Sequence, residues 1–328
     1  MANAPGTTIA QARRSARRFN RAIIGASVVG LIRILHLIPP SWLANAASWT
    51  MRMVGPLLRE NRTARENLVA AFPEKSAAEI DRILRGSWDN LGRLGAEFIH
   101  LDRILGEEVV HSKSGRLDIP ALAIDRFVEL ANDGKPALIF CAHLANWELP
   151  AVVAAKFGLP AAALYRRPNI AAIDRWLLDT RASKMGELIS TSLDAPMKLA
   201  DALSRGLHVG MLVDQYYVRG VEVTFFGRRT MANPLIARLA RHFDCPIVGV
   251  RIIRLPNERF TGAITAPLKP PRDAEGKIDV QETMQMIMSI IEGWIREHPE
   301  QWLWQHRRWR PEDMKKKRSL RSRANGRS

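Results

Sequence analysis

Residues 137–148 read ALIFCAHLANWE. The first five form a short, unbroken apolar run, the pattern of a strand buried on both faces. Residues 149–157, directly after Glu148, carry apolar side chains at helical spacing. Strand, turn and helix in that order are the repeating unit of an α/β sheet, and ligands and catalytic groups collect at the carboxyl ends of its strands. His143 stands at such an end.

Outward from this unit the alternation continues. Short β-rich runs at 161–165, 209–213, 246–255 and 260–266 are interleaved with helical patterns at 173–185, 196–204 and 234–242, and a last helix covers 280–297. The pattern predicts an α/β fold, a central mixed sheet with helices on both faces. Upstream, residues 41–110 read as helical over 42–58, 64–72 and 77–101. No internal repeat and no glycine-rich phosphate loop is present. Cys141 and Cys245 are the only cysteines in 328 residues, too few for a disulfide framework and without zinc spacing. Their apolar surroundings predict buried, inert thiols.

The chemistry-bearing pair is His143 with Glu148. A carboxylate five residues on can fold back around a turn to the imidazole. There it would hold the tautomer with a free nitrogen lone pair and stabilise the cation formed on proton uptake. That arrangement makes His143 a general base for a hydroxyl. The same two residues also fit a structural histidine capping the next helix, and the spacing alone leaves both readings open.

Hydrophobic residues make up 47% of the chain, enough for a sizeable core, and the net charge is +16. Such a charge asks for an anionic partner: nucleic acid, an anionic membrane or a phosphorylated substrate. Arg13, Arg14, Arg17, Arg18 and Arg21 precede residue 22 with no acid, and seven lysines and arginines follow residue 314. The charge therefore lies in the two ends rather than in a stripe across the folded part, which favours a membrane over nucleic acid. Next to the first run, residues 22–40 read AIIGASVVGLIRILHLIPP. Its uncharged stretch stops at Arg33, short of the ~20 apolar residues of a clean span. Two membrane arrangements fit, a short helix with Arg33 and His36 snorkelling to the interface or an amphipathic helix lying in it, and an ordinary core helix is the alternative to both. The expected organisation is a basic, membrane-anchoring segment over 1–40, a catalytic domain over 41–312 and a basic tail over 313–328.

The run HLANWE after its strand resembles the His-four-residues-acid motif of bacterial lipid A biosynthesis acyltransferases, the late lauroyl and myristoyl transferases. Further blocks follow in the family's order: Leu164-Tyr165-Arg166-Arg167-Pro168-Asn169, Arg181-Ala182-Ser183-Lys184, Val213-Asp214-Gln215, Thr224-Phe225-Phe226-Gly227, and residues 299–309, PEQWLWQHRRW. The resemblance implies a fold like that of the glycerol-phosphate acyltransferases, with an apolar groove for an acyl chain. It implies His143 as base and Glu148 as its orienter. Arg166 is implied to polarise the thioester carbonyl or hold an anion. An extra arginine stands before Pro168, so Arg167 is a candidate for that role, or a solvated loop charge. Asp214 would orient Arg166 or the substrate with support from Gln215, unless it only caps a turn. Arg181 and Lys184 would bind phosphate, or lie on a solvated helix face. Trp302, Trp304 and Trp309 suggest aromatic surface for an interface, or core, a reading that is stronger for Trp304 than for Trp309. His306 receives no catalytic role, because its motif is expected to lie remote from the sheet edges.

The implied reaction moves a fatty acyl chain from acyl carrier protein to a hydroxyl of a phosphorylated glucosamine-based lipid A precursor. It would take place on the anionic cytoplasmic face of the inner membrane, without nucleic acid, metal or bound cofactor. Acylation of another glycolipid, such as a phosphatidylinositol mannoside, is an alternative within the same class. A non-catalytic basic membrane-binding protein is one from a different class.

Overall fold

A computed structural model describes residue 20 and residues 22–104, 116–168, 170–182 and 185–310. The arginine run before residue 22, the basic tail after 314 and Lys184 lie outside the described residues. The described residues begin with helix α1 over residues 22–35 and continue through α2 (Pro40–Val54), α3 (Arg59–Ala71), α4 (Ala77–Ile99) and the short α5 (Leu101–Ile104). Among the described residues no helix is long and apolar enough to cross a membrane. The sharpest start is that of α4. Ser76 accepts from the Glu79 amide while the Glu79 side chain accepts from the Ser76 amide, so two otherwise unpaired donors are satisfied reciprocally.

The α/β part then runs β1 (Leu117–Asp118), α6 (Ala121–Asn132), β2 (Leu138–Cys141), α7 (Leu149–Lys156), β3 (Ala161–Tyr165), α8 (Ala171–Ala182), β4 (Glu187–Ser190), α9 (Ala195–Ser204) and β5 (His208–Leu212). After these come the hairpin β6 (Tyr216–Phe225) and β7 (Arg228–Ala232), α10 (Leu235–Phe243), β8 (Ile247–Arg254), β9 (Phe260–Ile264) and α11 (Val280–Glu297). Among the described residues the main sheet has seven strands in the order β1-β9-β8-β2-β5-β3-β4. It is mixed, as expected. β8, β2, β5, β3 and β4 are parallel, β9 is antiparallel to β8, and β1 is parallel to β9.

Helices cover both faces. Leu138 and Phe140 of β2 point into the large core formed with α9, α10 and α11, while Ile139 and Cys141 point the other way, toward α6 and α7. β2 sits at the centre with β5 and β8 on its flanks, so it has no free edge. The expected strands at 137–141, 161–165, 209–213, 246–255 and 260–266 all form, within two residues at each end. The β1 and β4 strands, α6 and the β6–β7 hairpin are additions that the sequence pattern did not single out.

Candidate active site

The register of the parallel sheet builds the centre of the site. β2 and β5 are neighbours with Cys141 beside Leu212, so the residues two beyond each strand end, His143 and Asp214, lie level across the sheet edge. His143 Nδ1 is 2.7 Å from Asp214 Oδ1, and the His143 backbone amide donates to Asp214 Oδ2 at 2.9 Å. Trp302 Nε1 donates to the same Oδ2 at 2.7 Å. Asp214 is only 1% exposed. Burial pushes its carboxyl up, but the His143 charge and the hydrogen bonds from His143 and Trp302 outweigh it and hold the group at about 2. A carboxylate so held fixes the proton on Nδ1 and turns the Nε2 lone pair outward. The Gln215 side-chain amide lies 3.1 Å from Nε2 and is its natural donor.

The carboxylate on the imidazole therefore belongs to Asp214, and the expected partner Glu148 lies elsewhere. Glu148 stands just before the first turn of α7 and turns away toward α8, where Arg181 holds it from two directions. Arg181 Nε donates to Oε2 at 3.0 Å and Nη2 to Oε1 at 2.5 Å. Both side chains are nearly buried, and the guanidinium also lies over the Phe98 ring. Arg181 is thus a fixed, paired cation rather than part of a solvated helix face. Asp214 likewise serves neither as a turn cap nor as a partner of Arg166; its bonds go to His143 and Trp302.

Arg166 and Arg167 separate cleanly. Arg167 donates to the buried Asp174 at 2.6 Å, while Arg166, exposed at the end of β3, lines the cavity. That cavity has a volume of about 690 Å³ and lies between the sheet and the pair α6 and α7. Its walls are largely apolar and partly built of small residues, among them Gly210, Ala151, Ala154 and Ala162. His143, Glu148, Arg166 and Arg181 supply its polar end. Cys141 also lines it, but burial pushes that thiol up to about 12, so it carries no thiolate. Among the described residues no three His, Cys, Asp or Glu side chains gather in a way that could hold a metal ion.

The motif at 299–309 is not remote from this centre. It folds directly onto the loop that carries His143. Leu144 bridges Trp302, the Leu303 amide donates to the His143 carbonyl at 3.0 Å, and the Ala145 amide donates to the Gln301 carbonyl at 2.8 Å. These bonds hold Ala145 in the left-handed region, φ 49°, which an alanine adopts only when its surroundings enforce it. The three tryptophans are buried, so they form core around the dyad rather than an interface. His306 stands close enough for the His143 charge to act on it. Burial, helped by that charge, pushes it down to about 4. A neutral imidazole suits its contact, since Nε2 accepts from the Tyr216 amide at 3.4 Å.

Beneath the loop lies a buried polar cluster with no signal in the sequence. Glu97 of α4 pairs with Arg254 at the end of β8 through both carboxylate oxygens. Asn146 donates to Glu97 at 2.8 Å, and Asn90 donates to the carbonyls of Ala145 and Gln301. Breaking a buried pair leaves an uncompensated charge, so Glu97→Ala should destabilise the fold by about 3–5 kcal/mol in denaturant unfolding. Glu97→Leu combined with Arg254→Met should lose less than either single change. If the double variant is as unstable as the sum of the singles, the pair is not coupled as drawn.

The profile of the bacterial lipid A biosynthesis acyltransferases matches residues 11–311. The chain belongs to this family. No curated protein matches the chain. The acyltransferase is thus a transferase that takes an acyl donor and a lipid acceptor. In it, the two-stranded β6–β7 hairpin carries the Phe-Phe-Gly block. Phe226 packs against Phe72, Trp304 and Trp309, which places that block in the support of the site rather than at its chemistry.

Proposed function

We propose that the acyltransferase transfers a fatty acyl chain from a thioester donor, acyl carrier protein, to a hydroxyl of a phosphorylated lipid A precursor, with His143 as general base. One observation carries this reading. An imidazole held through Nδ1 by a buried carboxylate offers Nε2 at the polar end of an apolar cavity of about 690 Å³. That volume falls within the ~300–1,000 Å³ of small-molecule sites.

In the proposed step the acceptor hydroxyl displaces the Gln215 amide from Nε2 and gives its proton to the imidazole as its oxygen attacks the thioester carbonyl. Asp214 stabilises the resulting imidazolium. The carbonyl oxygen gains negative charge, and Arg166, exposed at the cavity's polar end, is the cation available to it; Arg181, held by Glu148, supplies a second, fixed positive field. The tetrahedral intermediate then collapses, breaking the carbon–sulfur bond, and the leaving thiolate takes the proton back from the imidazolium, which returns His143 to its neutral form. No protein nucleophile is needed, because the thioester is already activated.

The same proposal includes a glycerol-phosphate-acyltransferase-like fold, and work at the cytoplasmic face of an inner membrane with α1 as a membrane-associating helix. Support comes from the arginine run ahead of α1 and from Ile23, Ile24, Leu31 and Ile34, which α1 leaves exposed. The test is transfer by the purified full-length protein from lauroyl- or myristoyl-acyl carrier protein to a detergent-dispersed lipid A precursor, read by mass spectrometry. A product heavier by one acyl group is expected. If none forms with any chain length, while an unrelated glycolipid is acylated, the acceptor assignment is wrong.

A further inference from the structure

Helix α2 is apolar on two sides. Its inner side, with Leu43 and Ala44, packs on α4. Its outer side carries Trp42, Trp49 and Met53 at spacings of seven and four, one stripe along the helix. These side chains are 74, 62 and 59% exposed, and Leu57 just beyond the helix is 83% exposed. Two outward tryptophans on one stripe are not needed by the core, and a continuous apolar surface of this kind marks a docking site.

Charge identifies the occupant. The first acidic residue of the chain is Glu60; before it stand eight arginines and no aspartate or glutamate. Arg52 on α2 and Arg59 and Arg62 just beyond Leu57 are exposed beside the stripe, each also within ion-pair reach of an acid, Asp89, Glu60 and Glu66 respectively. Apolar side chains in a segment that carries eight arginines before its first acid fit an anionic bilayer, where indole rings settle at headgroup level and guanidinium groups meet phosphates. The stripe also continues a chain segment already apolar outward, since only four residues separate the end of α1 from the start of α2.

We propose that the outer stripe of α2, Trp42, Trp49 and Met53 with Leu57, docks the protein on an anionic lipid surface as a contact separate from α1. The proposal rests on the membrane reading above. It also bears on orientation. α1 packs at Gly25 against Ala172 and Ile170, at the start of α8, the helix that carries Arg181. Two contacts, one on α1 and one on α2, would fix how the cavity's polar end faces the bilayer, where one alone would leave the protein free to swivel.

The experiment compares full-length wild type with Trp42→Ser/Trp49→Ser/Met53→Ser, whose replaced side chains are exposed and leave the core intact. Co-sedimentation with vesicles of phosphatidylethanolamine and phosphatidylglycerol should weaken by about tenfold or more in the variant. Transfer to detergent-dispersed acceptor should stay at the wild-type rate, and the melting temperature should not fall. Brominated phosphatidylglycerol should quench wild-type tryptophan fluorescence more strongly than that of the variant. Equal vesicle binding by the two proteins overturns the proposal. So does a concentration-dependent dimer that the variant abolishes while vesicle binding persists, for the stripe is then a surface between copies. Failure of the wild type to transfer any acyl group removes the catalytic reading but leaves the vesicle comparison intact.

Discussion

His143→Ala should lower the acyl-transfer rate by about a hundredfold or more, the contribution of a positioned general base. The loss should appear in kcat, with KM little changed, because the ring acts on the proton in the transition state and not on the acyl chain in the cavity. The fold should survive. The backbone bonds of this residue, the amide to Asp214 and the carbonyl to Leu303, do not involve the ring and remain available in the variant. The variant should therefore still fold, with some loss of stability because the buried Asp214 carboxylate loses the imidazole, while turning over far more slowly. Steady-state rates with saturating acyl donor check this, and a variant within tenfold of wild type would remove His143 from the chemistry.

How much of this site was legible differs residue by residue. His143 was, because a strand end followed by a polar turn is local information and the motif surrounds it. Its carboxylate partner was not. Glu148 is near in sequence, but Asp214 is 71 residues away and becomes a neighbour only because β5 lies beside β2 in the sheet, with β3 and β4 outside it. Strand order in a parallel sheet is set by packing across the whole domain and leaves no trace in either strand. The terminal motif misled for the same reason. Residues 299–309 come after α11, the last α-helix among the described residues, yet their tryptophans fill the space behind the dyad.

Local chemistry was hidden at the β6–β7 turn as well. A two-residue hairpin with both central residues at positive φ normally announces itself by Asn-Gly. Here the pair is Phe226-Gly227, at φ 52° and 66°, and the left-handed phenylalanine gives no turn signal. Its strain is offset by the buried aromatic contacts of its ring. The buried Glu97–Arg254 pair was invisible for a third reason. Glu97 sits in a helix whose charges look like an ordinary solvated face until tertiary packing closes over it.

Asp214→Asn should be the most damaging conservative change in the protein, lowering kcat by about 10⁴-fold, the loss expected when a catalytic imidazole is held in the wrong tautomer. Two donors, the His143 amide and Trp302 Nε1, converge on Oδ2, so only the amide oxygen of an asparagine fits there. Its NH₂ must then occupy the place of Oδ1 and point at His143 Nδ1. Nδ1 becomes an acceptor, the ring proton moves to Nε2, and the lone pair that would take the substrate proton is gone. Glu148→Gln leaves the imidazole untouched and should cost far less, acting only through Arg181. The reverse ranking, with Glu148→Gln the more severe, would return the orienting role to Glu148. The pH dependence separates the same possibilities. With its carboxyl held at about 2 in the fold, Asp214 contributes stability that is present above the ordinary carboxylate range and lost as pH falls toward 2. An acid limb of kcat above pH 4 thus belongs to another group. Its persistence in wild type, and the absence of any base-form activity up to pH 9 in Asp214→Asn, would together mark the defect as a misplaced proton rather than a missing charge.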